Sequence, residues 1–165
     1  RNGDSIPEAR TQEEWIRFGS EGTPAFLTDK VKPENERKYG KFYNWHAVND
    51  PRGLAPKGWH VPSGEEWSQL TKYFGGEVAT ALSIRAMGFD EDGQITSESG
   101  FSGLPAGFCA GDGKFYGTGT NGYWWSATEE NTSMAYAYLL NYLHCNTYHL
   151  NYHKAAGLSV RCIKD

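Results

Sequence analysis

Between Gly88 and Gly122 lie ten of the chain's 20 glycines, with turn pairs at Asp92-Gly93, Asp112-Gly113 and Asn121-Gly122. Glycine loses more backbone freedom on ordering than any other residue, so this stretch forms loops and not long helices or strands. Phe89, Phe101, Leu104, Phe108 and Phe115 are the side chains expected to hold those loops to a core. Hydrophobic residues make up only 38% of the chain while aromatic residues reach 15%, so a few large anchors carry the packing. That profile excludes a helical bundle. A length of 165 residues fits one domain with a core of its own.

Local patterns place the elements around these loops. Residues 7–18 open on Pro7 and acidic residues and give Trp15 and Phe18 at helical spacing, which predicts a helix ending at Gly19. Residues 20–38, broken by Pro24 and Pro33, read as loop. The alternation in 39–48 reads as a strand, and 49–63, dense in Pro and Gly, as an extended surface loop. Ser63 followed by Glu66 is a capping box. It opens a helix that stops at Gly75-Gly76 and carries Trp67, Leu70, Tyr73 and Phe74 on one face. A second short helix covers 77–86. Strands are expected over Tyr123–Thr128, Met134–Tyr142 and 157–163. The result is an α+β domain with a small mixed or antiparallel sheet.

Several function classes drop out. The net charge is −4 and no basic cluster occurs, which argues against nucleic acid as a partner. No apolar run approaches the ~18 residues of a membrane span, so no direct membrane insertion is expected. No signal-peptide pattern is legible. Cys109, Cys145 and Cys162 are widely spaced without a CxxC pair, unlike a structural zinc site. The acidic run Asp90-Glu91-Asp92-Gly93 reads as a turn, lacking the ligand spacing of a calcium loop. A nucleophilic Cys109 would need His46 or His60 as base, and a small buried hydrophobe is the preferred reading. Neither an enzyme nor a cofactor is expected. Trp45, Trp59, Trp67, Trp124 and Trp125 are expected mostly in the core.

The segment 135–153 stands apart. Eleven of the eighteen residues from Tyr136 onward are Tyr, Asn or His. Tyr offers stiff contact area and Asn adaptable hydrogen bonds, the composition of an antibody combining site. The expected ligand-binding residues are Tyr136, Tyr138, Asn141, Tyr142, His144, Asn146, Tyr148, His149, Asn151, Tyr152 and His153. They would lie on an exposed strand and its following turn, with about half of them facing solvent because side chains alternate across a strand. The histidines are spaced five and four apart with no acidic residue in the segment, which does not suit a metal site.

Four stretches carry a resemblance: YGKFYNWHAVNDPRGLAPKGWHVPSGEEW (39–67), GFSGLPAGF (100–108), GYWWSATE (122–129) and GLSVRCIKD (157–165). Together they resemble the Fibrobacter succinogenes major paralogous domain of bacterial surface proteins. That family is similar to the C-type-lectin-like fold, also seen in formylglycine-generating enzymes. The resemblance implies two helices packed on a small twisted, mainly antiparallel sheet with long Gly-rich loops. Many members carry a cysteine where Ala55 stands here, so the disulfide the family implies for Cys162 lacks its partner. The reactive cysteine pair of the formylglycine-generating enzymes does not map onto this chain.

The same fold serves as scaffold for proteins varied by diversity-generating retroelements. Random replacement of adenines in AAC codons never yields Lys, Glu, Gln, Met or Trp, and 135–153 contains none of these while Met134 and Lys154 bound it. The expectation is one domain over 1–165. Residues 1–38 form an N-terminal helix and loop, 39–134 a scaffold, 135–153 a variable display segment and 154–165 a closing strand. Its function would be ligand binding, of receptor or adhesin type, at a bacterial cell surface or in a secreted protein. The partner would be an unknown protein or glycan. The alternatives are an invariant structural adhesin or pilus-tip subunit and, behind it, an oxidase resembling the formylglycine-generating enzymes.

Overall fold

A computed structural model describes residues 3–29, 33–85, 88–89, 95–96 and 99–165. The chain begins with helix α1 (Gln12–Glu21), strand β1 (Phe26–Leu27), helix α2 (Pro33–Tyr39), strand β2 (Phe42–Tyr43) and helix α3 (Trp45–Val48). Strand β3 (Trp59–His60) precedes helices α4 (Gly64–Tyr73) and α5 (Glu77–Ile84). Four two-residue strands follow: β4 (Gly88–Phe89), β5 (Ile95–Thr96), β6 (Phe108–Cys109) and β7 (Phe115–Tyr116). Then come the long strands β8 (Asn121–Glu129), β9 (Met134–Asn141) and β10 (Asn146–His153), and finally β11 (Ile163–Lys164). The architecture is α+β with small antiparallel sheets. Among the described residues no helix is long and apolar enough to cross a membrane.

The three long strands form an antiparallel sheet in the order β10-β9-β8. Both of its faces are covered, which is why β9 reads as a nearly continuous apolar run. On one face Tyr123, Trp125, Ala135, Ala137 and Leu139 pack with Trp45, Val48, Val61 and Leu158. On the other, Trp124, Tyr138 and Leu140 meet Trp67 of α4 and Ala81 and Ile84 of α5. A third cluster joins Trp15 of α1 to Leu27, Phe42 and Cys109. The glycine-rich loops are held as the sequence implies. Phe101, Phe108 and Phe115 each pack against a different one of these clusters. The Phe89 side chain, the Asp92-Gly93 turn and the run Asp90-Glu91-Asp92-Gly93 lie outside the described residues.

Several local expectations are corrected. Helix α1 starts at Gln12, where the Thr11 hydroxyl accepts the Glu14 N–H at 3.2 Å, and it continues through Gly19. Gly19 is there for close approach, since a Cβ on it would stand 2.6 Å from the Cβ of Ala155. Gly22, at φ 69°, ends the helix instead. Residues 20–38 hold β1 and α2. The latter has Pro at its first position, Glu34 and Glu36 in the first turn and Arg37 and Lys38 in the last, the charge order a helix dipole favours.

Within 39–48 only Phe42–Tyr43 is strand. Asn44 ends it: its Oδ1 accepts the N–H groups of Ala47 and Ala25, both at 3.0 Å, and its Nδ2 donates to the Thr23 carbonyl at 2.8 Å. A side chain satisfied this way caps α3 and is wholly buried. Tyr73, grouped by spacing with the buried face of α4, is 83% exposed. Residues 157–163 form no continuous strand. They bridge successively to Cys109, Tyr43 and Trp124 before β11 pairs with β3.

The capping box holds as read: Glu66 N–H donates to the Ser63 hydroxyl and Ser63 N–H to the Glu66 carboxylate. The same carboxylate accepts from His60 Nε2 at 2.8 Å, while His60 Nδ1 meets Asp165 at 2.7 Å. Hydrogen bonds to Asp165 and then to Glu66 raise the His60 pKa. The stabilisation from this clasp is complete below the ordinary histidine pKa of about 6.5 and is lost as pH rises through the raised folded-state value. The gap in denaturation midpoint between the native chain and His60→Ala should therefore narrow as pH rises above about 6.5. A gap independent of pH would mean that the charge contributes nothing.

Gly19→Ala sets helix propensity against packing. Propensity alone would favour alanine by about 1 kcal/mol. Overlap with Ala155 costs roughly 1–3 kcal/mol, so a net destabilisation is expected in urea titration. A stabilised variant would show that the contact relaxes freely.

Candidate functional site

Strands β9 and β10 form a hairpin in continuous register, from Asn146 opposite Asn141 to His153 opposite Met134. Residues 146–153 are thus a second full strand, where the sequence implied one strand and a turn. Tyr142 to Cys145 make the reversal. Asn141 Oδ1 accepts the His144 N–H at 2.8 Å, and Cys145 takes the left-handed conformation at φ 46°. Asn146 Oδ1 accepts the Thr147 N–H at 3.0 Å, so both flanking asparagines are engaged in shaping the turn.

The hairpin's ends are fixed in the frame. Lys154, only 6% exposed, pairs with the Glu129 carboxylate, donates to the Thr132 carbonyl at 3.0 Å and lies 4.8 Å from the Trp45 ring centre. Its N–H donates to the Ser133 carbonyl, and its own carbonyl accepts the Trp45 N–H at 2.9 Å. Burial, then the charges of Lys154 and His153, lower the pKa of neighbouring His46, which favours its neutral form.

The eleven residues singled out in the sequence divide into three groups. His144, His149, Asn151 and His153 are exposed. Tyr136, Asn141, Tyr142, Asn146, Tyr148 and Tyr152 are half-buried. Tyr138 is at 0% exposure and is removed from the display surface. Its ring stacks on Trp67 at 4.5 Å and 9°, and its hydroxyl lies 3.1 Å from that of Thr71. Tyr142 donates to the Gly103 carbonyl and packs on the α4–α5 cluster. Tyr152 packs edge-on against Phe108 and Tyr123, and this burial moves its hydroxyl pKa upward. Tyr148 packs against the opposite core face.

The alternation is real, but it sends most of the tyrosine surface inward. The reason lies on β9, where Ala135 and Ala137 leave room that the larger rings of neighbouring strands fill. What faces solvent is a row from Tyr136 through His149, Asn151 and His153, plus His144 at the tip. Tyr136 is held by a hydrogen bond to Glu130, which raises its pKa. Leu143, 71% exposed at the tip, was missed because attention to polar and aromatic residues passes over a leucine in a turn.

Other chemistry has little support in the geometry. Cys109 is buried, its thiol pKa pushed up to about 12 chiefly by that burial, so the nucleophilic thiolate is disfavoured. All three cysteines are free. Among the described residues no group of three or more His, Cys, Asp or Glu could hold a metal ion. Trp45, Trp67, Trp124 and Trp125 are buried as expected, whereas Trp59 is 40% exposed.

The chain matches the family model described as the Fibrobacter succinogenes major domain over residues 1–164. It belongs to that family. No curated protein and no solved structure matches it.

The burial pattern separates two kinds of hairpin residue. Tyr138→Ala should cost about 3–5 kcal/mol, the range for deleting a buried aromatic side chain. Joint replacement of His144 and Asn151, both exposed, by Ser should stay within about 0.5 kcal/mol per site. Thermal and urea melts of both variants check this, and similar losses in the two would contradict the division.

Proposed function

We propose, taking membership of that family as the premise, that the chain is a noncovalent ligand-binding module. Its contact surface is the solvent side of the β9–β10 hairpin, formed by Tyr136, Leu143, His144, His149, Asn151 and His153. The observation that carries the reading is how lightly this row is tied to the frame, with His149 edge-on against Tyr138 and His153 Nδ1 accepting the Ala155 N–H as its main contacts. Among the described residues, the side chains of His144, His149 and Asn151 donate or accept no hydrogen bond that holds the fold. The hairpin is fixed instead by its inward rings and by Lys154. A rigid backbone carrying replaceable side chains loses little entropy on binding a partner.

A second observation favours a macromolecular partner. Strand β10 is an edge of its sheet and contains no Lys, Pro, Asp or Glu, the residues that commonly protect an exposed edge. The frame is read as C-type-lectin-like, and the protein as displayed on a bacterial surface or secreted. The row is read as diversified by a retroelement. Variation would then be confined to the outward positions, with an aromatic ring retained at 138. The structural adhesin or pilus-tip alternative uses the same face, invariant and packed on a neighbour.

A protein or glycan array probed with the purified domain tests the binding reading. Replacing His144, His149, Asn151 and His153 together by Ser should abolish the array signal and shift Tm by no more than a few degrees. Unfolding of that variant, or an undiminished signal, rules the surface out. The gene tests diversification separately: AAC-derived codons at the outward positions and a near-identical noncoding copy with adenines there are expected. Lack of such a copy leaves the invariant adhesin as the reading.

A further inference from the structure

On another part of the molecule, a cavity of about 360 Å³ opens between the segment around Asp4, strands β1 and β2, and the turn after α3. None of its lining residues belongs to 135–153. Its size sits at the low end of small-molecule sites, which run from about 300 to 1,000 Å³. Its lining holds two cationic residues, Lys41 and Arg52, and two carboxylates, Asp4 and Asp50. The Lys41 ammonium sits 4.1 Å from the centre of the Phe26 ring, and among the described residues it has no carboxylate within ion-pair distance.

Arg52 is fixed differently. Its Nε and Nη2 grip the two oxygens of Asp50 at 2.9 and 2.6 Å, and the Asp50 side chain is only 7% exposed. The hydrogen bond from Arg52 is the main cause holding the Asp50 carboxyl below the usual range. The bidentate grip orients the guanidinium plane and leaves Nη1 out of the Asp50 contact, 3.8 Å from Asp4 and too far for a direct hydrogen bond to it. The rings of Phe26 and Tyr43, 5.8 Å apart and inclined at 47°, form an aromatic wall beside these charges.

We propose that this cavity binds a carboxylate-bearing pyranose, either a residue of an acidic polysaccharide or the free sugar acid. Each part of such a ligand meets a matching group. The carboxylate pairs with Lys41, which among the described residues meets a ring face and no carboxylate. Ring hydroxyls take the Nη1 hydrogens of Arg52 and offer their own hydrogens to Asp4. The weakly positive C–H face of the pyranose lies on the negative face of Tyr43, since Lys41 already covers a face of Phe26. A purely apolar ligand would strip water from the Lys41 ammonium without replacing it, which the cost of burying charge disfavours. The site is independent of the hairpin surface, so either reading can fail without the other.

The test is titration of the isotope-labelled chain with glucuronic acid, a short oligogalacturonide and glucose, followed by amide shifts. The acids should shift Phe26, Lys41, Tyr43 and Gly53, and glucose should bind at least about tenfold more weakly. Lys41→Ala should weaken the acids about tenfold or more while Lys41→Arg retains them. The hairpin Ser variant should bind them as the native chain does. Tighter binding of the oligosaccharide identifies the polysaccharide source, and equal binding per sugar the free acid. Unshifted amides at about 10 mM ligand, equal binding of glucose, or an unaffected Lys41→Ala variant each overturns the assignment. Lys41 is exposed, so its replacement leaves the fold intact and the outcome readable.

Discussion

The buried strap from Lys154 to Ser159 is the interaction on which the remaining architecture depends. In six residues it touches each part of the frame in turn. Lys154 ties the β8–β9 loop to Trp45 through its ammonium and both backbone groups. Gly157 exchanges two hydrogen bonds with Cys109, and Leu158 two more with Tyr43. Ser159 then receives the Trp125 N–H and donates to the Tyr123 carbonyl. Gly157 and Cys109 are both buried, so loss of one partner there leaves the other unsatisfied at a cost of about 1–3 kcal/mol. Gly157 permits the passage, because a Cβ there would crowd Trp15 at 3.0 Å and Cys109 at 3.2 Å.

The strap also explains how the hairpin is anchored. Strand β10 feeds directly into Lys154, so one end of the hairpin is held by buried charge and backbone bonds. Indole N–H groups reinforce the same region from outside it: Trp125 donates to the Tyr43 carbonyl at 2.7 Å and Trp45 to the Ser126 carbonyl at 2.9 Å. The hairpin's inward rings complete two clusters, while the outward row adds only lighter contacts: His149 edge-on against Tyr138 at 5.0 Å and the His153 Nδ1 accepting the Ala155 N–H at 3.2 Å. Tyrosine therefore takes two settings in this segment, packed into the core at 138 and 152 and partly open to solvent at 136.

Composition alone could not separate these two uses. Tyr138 and Tyr136 are two residues apart on one strand and formally share a face, yet their environments differ completely. Helix α4 brings Trp67 over Tyr138, while Tyr136 lies nearer the strand's other end and opposite Asn151. The capping box, by contrast, was legible because its donors and acceptors lie within four residues. Asn44 was not: its local capping of Ala47 could be guessed, but its bonds to Ala25 and Thr23 come from a segment some twenty residues away.

The sequence by itself determined the α+β class, the α4 boundary, the aromatic anchors of the glycine-rich loops and the family. These follow from short-range rules of propensity, capping and spacing, or from motifs read directly. Only the tertiary structure decided which hairpin rings face the core, why Gly19 sits inside a helix, and that Lys41 and Arg52 line one cavity. Those outcomes depend on contacts between residues distant along the chain, which are fixed by how the layers pack and leave no periodic trace in the sequence.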